Sequence, residues 1–473
     1  MTDSENLRRF GLDKIALFLL LLAGFFFAEL IVSSRAHFKL SKPIALEGCG
    51  MAVSVPAGGF KQLSDGFEYN DNEFRLSCIM QISSDSAMMV HWRYFIVPFK
   101  KTVAERFEIQ ASDIGGTIEK TGSEQFGQFT FDYARIVSQL PAQTRRGEPD
   151  RSERTTTLLL SGTTQLPDGR TLTLEVAQKG YDIDLAEKIF RSLAASVTFT
   201  SAGPLADGRE LLDNFRQKAL ADILQKNTLQ NYYYIKDYTG RSMGFATDAI
   251  SLKNNRRDAN SLTAVSLYFI HLGVNPFAEQ SLFRSDPNIQ TFKWISQQSN
   301  LVINRELITS IELDREGTVT IQSTTVKTLP ERIVSQNFTF TSSALPEMLS
   351  DTFVESFLQS SFNSVMVDLI LSDGRIMPAL ITRTELQKTT QPNAASTRLS
   401  PPKSAVKIVF FGTDAHEQTI YFDSSGKIVL CEIRGKLSYK LERTQRDRLV
   451  ADFPGWLEKL ELIEQYINEK SKD

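Results

Sequence analysis

The sequence predicts an α+β fold, with an N-terminal transmembrane helix, then an α/β sandwich domain, then an antiparallel β-sheet domain covered by helices. Three observations support this prediction: one long apolar segment near the N-terminus, helix-capping signals between strand-like runs in the first half, and spaced hairpin turns in the second half. At 473 residues the chain is long enough for roughly two or three domains. The predicted boundaries are 1–14 for a cytoplasmic tail, 15–34 for a transmembrane helix or signal segment, 43–200 for the sandwich and 209–473 for the sheet domain.

The apolar segment Ile15–Val32 contains one charged residue, Glu29. As a helix it would reach about 27 Å, which is just enough to span the hydrocarbon core of a bilayer. Basic residues precede it at Arg8, Arg9 and Lys14, and this favours a cytoplasmic N-terminus. The segment therefore predicts a single-pass membrane protein whose bulk is extracytoplasmic. The alternative is a cleaved signal peptide and a secreted protein.

Three cysteines occur in the chain: Cys49, Cys78 and Cys431. Cys49 ends the stretch Leu-Glu-Gly-Cys, but a polar, charged segment separates it from the apolar segment, and this position argues against a lipoprotein anchor. Export would permit a disulfide, and Cys49 with Cys78 is the expected pair because both fall in strand-like runs of the first domain. The alternative is that all three are buried thiols.

The first domain contains two helix-start signals. Thr102 with Glu105 forms a predicted capping box, and Asp184 with Glu187 repeats the pattern. Between them, the Pro-Asp-Gly turn at 167–169 joins two predicted strands. The small, turn-rich stretch 200–208 marks the predicted domain boundary.

The second domain is predominantly strand-like, with hairpin turns that place Asp before Gly at 237–240, 314–317 and 423–426. Its apolar face needs a cover, and two helices are expected to supply it. One begins near Pro346 and stacks Phe353 and Phe357; the other follows Pro454. A possible apolar cavity is predicted beside Phe353 and Phe357.

Two stretches carry resemblances to known families. Over residues 43–200, "MAVSVPAGGF" and the closing "DIDLAEKIFRSLAASVTF" resemble the PsbP-like α/β/α sandwich family, which implies an exported, largely non-enzymatic domain. The hairpin "YFDSSGKIVLCEI" makes the second domain similar to lipoprotein-carrier-type half-barrels, which hold lipid in an apolar cavity. Neither resemblance assigns a site residue to this chain.

The sequence contains no strong catalytic, metal-binding or phosphate-binding motif. The four histidines have no metal-ligand spacing, and there is no Gly-rich phosphate loop or nucleophile elbow, so no metal, cofactor or catalytic residue is predicted. Asp414 and His416 are the closest approach to a catalytic or metal-binding pair, and a turn is the favoured interpretation. The net charge of −3 gives no field that would attract nucleic acid.

The favoured function is therefore a membrane-anchored, extracytoplasmic, non-catalytic binding or scaffolding protein of the cell envelope. Its expected contacts are the membrane, through the N-terminal helix, and an envelope protein or lipid, with no nucleic acid. The alternative is a lipid or lipoprotein carrier-like protein with an apolar cavity. An enzyme is the third and least favoured class, because no catalytic motif is present.

Overall fold

The computed structural model describes residues 39–461 with internal gaps. The residues left out within this range are 47–48, 58–60, 71–72, 84–85, 97–98, 100, 144–148, 181, 201–202, 221, 223–228, 254–260, 273–274, 301–304, 317, 327–331, 340–343, 387–400, 412–415 and 436–437.

The first half is organised around a seven-stranded antiparallel sheet in the order β5-β6-β7-β11-β10-β9-β8. The strands of this half are β1 Lys39–Leu40, β2 Ile44–Leu46, β3 Met51–Val53, β4 Pro56–Ala57, β5 Lys61–Asn70, β6 Glu73–Ser83, β7 Ser86–Phe95, β8 Gly116–Phe126, β9 Phe129–Gln143, β10 Pro149–Gln165, β11 Thr171–Lys179 and β12 Thr198–Phe199. The short strands form two small sheets, β1-β4 and β12-β3-β2.

Two helices cover opposite faces of the seven-stranded sheet. Helix α1, Val103–Asp113, packs Phe107 against Ile136 and Leu159. Helix α2, Ile183–Ala195, contributes Phe190 to the main core, which includes the neighbouring strand residue Leu160. Because successive residues of a strand point to opposite faces, Leu159 and Leu160 place the two helices on different sides.

The second half forms one sheet of fifteen strands in the order β20-β19-β18-β17-β16-β15-β14-β13-β27-β26-β25-β24-β23-β22-β21. The strands are β13 Leu229–Lys236, β14 Ser242–Lys253, β15 Ser261–Leu272, β16 Asn275–Ser285, β17 Phe292–Asn300, β18 Arg305–Leu313, β19 Thr318–Val326, β20 Arg332–Thr339, β21 Ala344–Pro346, β22 Ser364–Ile370, β23 Ile376–Thr384, β24 Ser404–Phe410, β25 Glu417–Phe422, β26 Ile428–Arg434 and β27 Tyr439–Arg443. Neighbouring strands are antiparallel except for β21 and β22.

This sheet curls until distant strands approach each other. Gln298 on β17 donates to the hydroxyl of Ser372 in the β22–β23 turn at 3.5 Å. Gly374 in the same turn packs so closely on Ile321 of β19 that a Cβ atom there would lie 2.8 Å from a side-chain carbon. The curl gives the sheet an inner face, and long strongly twisted sheets curl in this way.

Helices fill and cover the curled sheet. Helix α3, Pro204–Asn214, continues as a π-helical turn, Phe215–Ala219, and packs on β22. Helix α4, Ser350–Gln359, follows a 3-10 turn, Glu347–Leu349, and meets α3 where Phe215 contacts Phe353. On the outer face of β14 and β15, helix α5, Arg446–Asp452, and a 3-10 turn, Pro454–Trp456, form a separate apolar cluster.

The predicted α+β class is wrong, although the predicted antiparallel sheet in the second half is confirmed. Strands dominate both halves of the described chain, and β10 alone has 17 residues. Capping signals identify where helices begin but not how much sheet lies between them, so the sequence overstated the helical share. The predicted linker 200–208 also differs, because helix α3 begins at Pro204.

The predicted single-pass membrane topology is corrected as well. No helix in the described part of the chain is long and apolar enough to cross a bilayer. Among the described residues, the longest helical stretch is Pro204–Asn214 with its π-helical continuation Phe215–Ala219, and it is shorter than the roughly 20 residues that a span needs. The segments 1–14 and 15–34, on which the prediction rested, lie outside the described residues.

Buried charge joins the two halves. Arg170, in the turn between β10 and β11, is fully buried and donates to the carboxylate of Asp368 on β22 and to the Tyr94 hydroxyl, the latter at 2.5 Å. The Asp168 carboxylate lies 3.3 Å from the Arg170 guanidinium and 3.2 Å from that of Arg209 on α3. The turn of the first sheet therefore docks onto the second sheet through ionic contacts.

Candidate functional site

Helix α4 and the turn before it present two different faces to the protein. Leu349, Phe353 and Phe357 are fully buried in the main core. Glu347, Asp351 and Glu355 recur at the same four-residue spacing, each two positions before an apolar residue, and such a spacing places side chains on one side of a helix. An apolar stripe therefore anchors the helix, while an acidic stripe faces a different environment.

The acidic stripe lines a cavity of about 290 Å³ between α4 and the inner face of the sheet. Strands β13, β14 and β15 contribute Asn231, Asp248 and Ser266 to the lining, Arg443 comes from β27, which pairs with β13, and Lys427 precedes β26. The helical contribution is Glu347, Asp351 and Glu355, together with Met348, Ser350 and Thr352. Four carboxylates and two cationic side chains thus share one small space.

Most of these carboxylates have no hydrogen-bond or salt-bridge partner among the described residues. Asp248 accepts a hydrogen bond from the Asn231 amide at 2.9 Å. Within the described part of the chain, Glu347, Asp351 and Glu355 form neither a hydrogen bond nor a salt bridge through their side chains. Buried polar groups are ordinarily paired. These three are half-buried and line the cavity.

The environment makes every carboxylate in the cavity hold its proton more tightly than usual. Burial raises the pKa of Asp351 to about 6. Burial, assisted by the charge of Asp351, raises the pKa of Asp248 and of Glu355 to about 7. Burial and the nearby carboxylate of Glu279 raise the pKa of Glu347 to about 8. Loss of water disfavours the ionised form of all four, and like-charge crowding adds to it at Asp248, Glu347 and Glu355.

A row of hydroxyl side chains continues from the cavity across the inner face of the sheet. Directly paired residues on antiparallel strands point to the same face. The row, in strand order from β14 to β19, is Asp248, Ser266, Ser281, Ser296, Thr309 and Ser323. Ser296 donates to Glu279 at 3.0 Å, and the hydroxyls of Thr309 and Ser323 lie 3.3 Å apart. The inner face is therefore polar along this row, although apolar residues flank it.

Phe353 and Phe357, beside which the sequence predicted an apolar cavity, lie in the packed core instead. Phe353 and Phe357 are fully buried, and Phe353 packs edge-on against Phe215 at 5.3 Å between ring centroids. Neither residue lines the acidic cavity. The structure brings them together in packed core, on the opposite side of α4 from Asp351.

Cys49 and Cys78, the predicted disulfide pair, are both fully buried and are described as thiols. Burial raises the pKa of the Cys49 thiol. Cys431 is also buried, at the edge of the main core. Of the pair considered for catalysis, Asp414 lies outside the described residues, and the His416 ring stacks on Phe410 at 4.1 Å.

The acidic stripe was missed from the sequence although its signal is present. The same periodicity that identified Phe353 and Phe357 places Glu347, Asp351 and Glu355 together, but such a stripe is ordinarily the solvent-exposed side of an amphipathic helix. Asp248 had no detectable signal, because only the fold brings β14 to α4. Arg443 at the end of β27 was likewise undetectable.

Comparisons with known proteins add little. No family model matches the sequence, and no curated protein matches it. A solved structure described as a beta-barrel-like protein of domain of unknown function DUF1849 from Brucella abortus is similar with a TM-score of 0.33 and 9% identity, covering 46% of this chain and 95% of that chain. A tail fiber of Staphylococcus aureus phage P68 gives a TM-score of 0.11 and 10% identity, covering 83% of this chain and 65% of the other. At these TM-scores neither likeness supports a statement about fold or function.

Proposed function

We propose that this protein is a binding protein for a small organic cation, which it holds in the acidic cavity between α4 and strands β13, β14 and β15. The observation that carries the proposal is the set of three carboxylates, Glu347, Asp351 and Glu355, that line the cavity without a described hydrogen bond or salt bridge. A bound ammonium group would supply the opposite charge and the hydrogen-bond donors that these oxygens lack.

The size and polarity of the cavity support this class of ligand. Ligand pockets occupy about 300–1,000 Å³, and a cavity of about 290 Å³ is at the small end of that range. Asn231, Ser266 and Ser350 add neutral polar groups to the lining. A lipid chain would meet carboxylates instead of apolar walls, so the acidic cavity does not favour the apolar carrier considered from the sequence.

Proton release on binding tests the proposal directly. With pKa values between about 6 and 8, the carboxylates of Asp351, Asp248 and Glu347 are partly protonated near pH 7 in the empty protein. A cation favours the ionised form, so binding must expel protons, and affinity must rise as the pH increases from about 6 to 8. A neutral ligand would produce neither effect.

The experiment is isothermal titration calorimetry with n-butylammonium as the probe and n-butanol as the uncharged comparison. Titrations at pH 7 in two buffers of different ionisation enthalpy count the protons released. We expect binding of the ammonium only, net proton release, and at least tenfold weaker binding by Asp351→Asn. Glu458→Gln, which removes an exposed carboxylate outside the cavity, is the matched control. Equal binding of n-butanol, or binding without proton release, contradicts the proposal, and so does a sustained heat flow, which would indicate turnover.

A further inference from the structure

The charges of the cavity are separated into two ends. The basic end consists of Lys427 and Arg443; the charge of Arg443 acts on Asp248 and Glu355, and that of Lys427 acts on Glu355. The acidic end consists of Glu347 and Asp351. A ligand with one charge alone would match only one of these ends.

No described cation is available to the acidic end. Among the surrounding charges, the carboxylate of Glu279 has the largest effect on the pKa of Glu347, and it raises that pKa. Glu279 already accepts hydrogen bonds from Ser296 at 3.0 Å and from Gln298 at 3.3 Å. Arg375 also acts on Glu347, but its guanidinium is engaged with Asp373 at 2.7 Å. Once Glu347 and Asp351 are ionised, the acidic end therefore carries negative charge that no described salt bridge neutralises.

Donors are in excess at the basic end. The Arg443 guanidinium has five N–H donors, and within the described part of the chain it donates only to the Ile428 carbonyl oxygen, at 3.4 Å, and forms no salt bridge. Tyr233, which pairs with Arg443 in strand register and so shares its face, is 3% exposed, and its hydroxyl has no hydrogen-bond partner among the described atoms. Arg443, which lines the cavity, thus has donors to offer to an anion, and Tyr233 lies next to it outside the lining.

We infer that the ligand is a small zwitterion of the amino acid class, with its ammonium group at the acidic end, Glu347 and Asp351, and its carboxylate at the basic end, Lys427 and Arg443. This inference rests on the proposed function, because it adds an anionic group to the cation assigned to the cavity. One helical turn of α4 separates Asp351 from Glu355, which lies beside the basic end, and four helical residues correspond to about 6 Å. This spacing favours ω-amino acids, whose charged groups are held apart by a methylene chain.

The test compares three ligands in the wild-type protein by calorimetry at pH 8: n-butylammonium, γ-aminobutyrate and γ-aminobutyramide. The last keeps the ammonium and the chain but removes the negative charge. We expect γ-aminobutyrate to bind at least tenfold more tightly than either of the other two. If all three bind alike, the zwitterion is refuted while the cation proposal stands. If none binds, both are refuted.

Variants then locate the anionic group. The ratio of the dissociation constants of γ-aminobutyramide and γ-aminobutyrate should fall from at least ten to near one in Arg443→Gln. It should keep its wild-type value in Arg284→Gln, which alters an exposed arginine on β16. A ratio that survives Arg443→Gln overturns the inference. Circular dichroism confirms folding of each variant, and the wild-type comparison remains decisive if Arg443→Gln does not fold.

Discussion

At the scale of single residues, Asp351 is the simplest of the cavity carboxylates. Burial raises its pKa from 3.8 to about 6. The folded state therefore binds this proton more tightly than the unfolded chain does. The stability that results is present below about pH 4 and is lost as the pH rises through about 6. Above that pH the empty protein contains a buried, ionised carboxylate that lowers its stability.

Replacing this carboxylate should stabilise the empty protein at high pH. We expect Asp351→Asn to raise the free energy of unfolding at pH 8 by roughly 1–3 kcal/mol, because a pKa shift of one unit corresponds to about 1.4 kcal/mol. Near pH 4 the change should be small, since the carboxyl is then largely protonated in the folded state. Urea denaturation at the two pH values measures the difference, with Glu458→Gln as control. An effect of equal size at both pH values would contradict the assigned protonation.

Sequence periodicity could have predicted the stripe of Glu347, Asp351 and Glu355 but not the cavity. Four-residue spacing gives the side of the helix on which the carboxylates lie. A charged side of this kind is ordinarily exposed to water. Whether a sheet covers it depends on Asp248 and Ser266, about a hundred residues earlier in the chain. Asp248 and Ser266 come close to the helix because of the order of the strands in the sheet, and no local sequence pattern predicts that order.

At the scale of elements, the helix-capping predictions show what local sequence can determine. The capping box of Thr102 and Glu105 is confirmed, with the Glu105 carboxylate accepting from the Thr102 amide at 2.7 Å. The prediction of Asp184 as the cap of α2 is wrong, because Asp182 is the N-cap and accepts from the Leu185 amide at 3.1 Å. Asp184 falls in the first turn of the helix instead. Both aspartates are good N-cap residues, but only Asp184 has a glutamate three residues later, so the capping-box pattern favoured the wrong one.

The contact between α3 and β22 depends on one glycine. Gly208 lies so close to β22 that a Cβ atom would be 2.0 Å from the Met366 carbonyl oxygen. We expect Gly208→Ala to lower the free energy of unfolding by about 1–3 kcal/mol, because the helix must move away from the strand. Gly455→Ala is the matched control, since a Cβ atom there meets no atom within 4 Å. Thermal unfolding of both variants gives the comparison, and equal midpoints would show that α3 does not pack as described.

At the scale of the whole molecule, the sequence predicted an antiparallel meander but not its extent. Hairpin turns such as Asp237–Gly240 and Asp423–Gly426 were recognisable, and in both the aspartate accepts backbone hydrogen bonds within the turn. The pairing of β13 with β27 joins strands about two hundred residues apart and makes one fifteen-stranded sheet. That pairing places Tyr233 beside Arg443, so the basic end of the cavity is created by the most distant connection in the sheet.

The junction of the two halves depends on the buried charges of Arg170 and Asp368. Burial alone would lower the pKa of Arg170, but the carboxylate of Asp368 and the Tyr94 oxygen raise it above its ordinary value. Arg170 therefore stays charged, and its stability in the interior depends on the opposing carboxylates. Removing one partner of a buried ion pair leaves an uncompensated charge, whereas replacing both with apolar groups can be nearly neutral.

We therefore expect Asp368→Asn to lower the free energy of unfolding by about 3 kcal/mol, and the double variant Arg170→Met/Asp368→Leu to recover much of that loss. The control is Glu312→Gln, which breaks the exposed pair Lys293–Glu312 and should change stability by less than about 1 kcal/mol. Urea denaturation measures these differences. Hydrogen exchange should show that Asp368→Asn lowers protection in both large sheets, because the ion pair belongs to both. Loss of protection in the second sheet alone would mean that the first half folds independently of this contact.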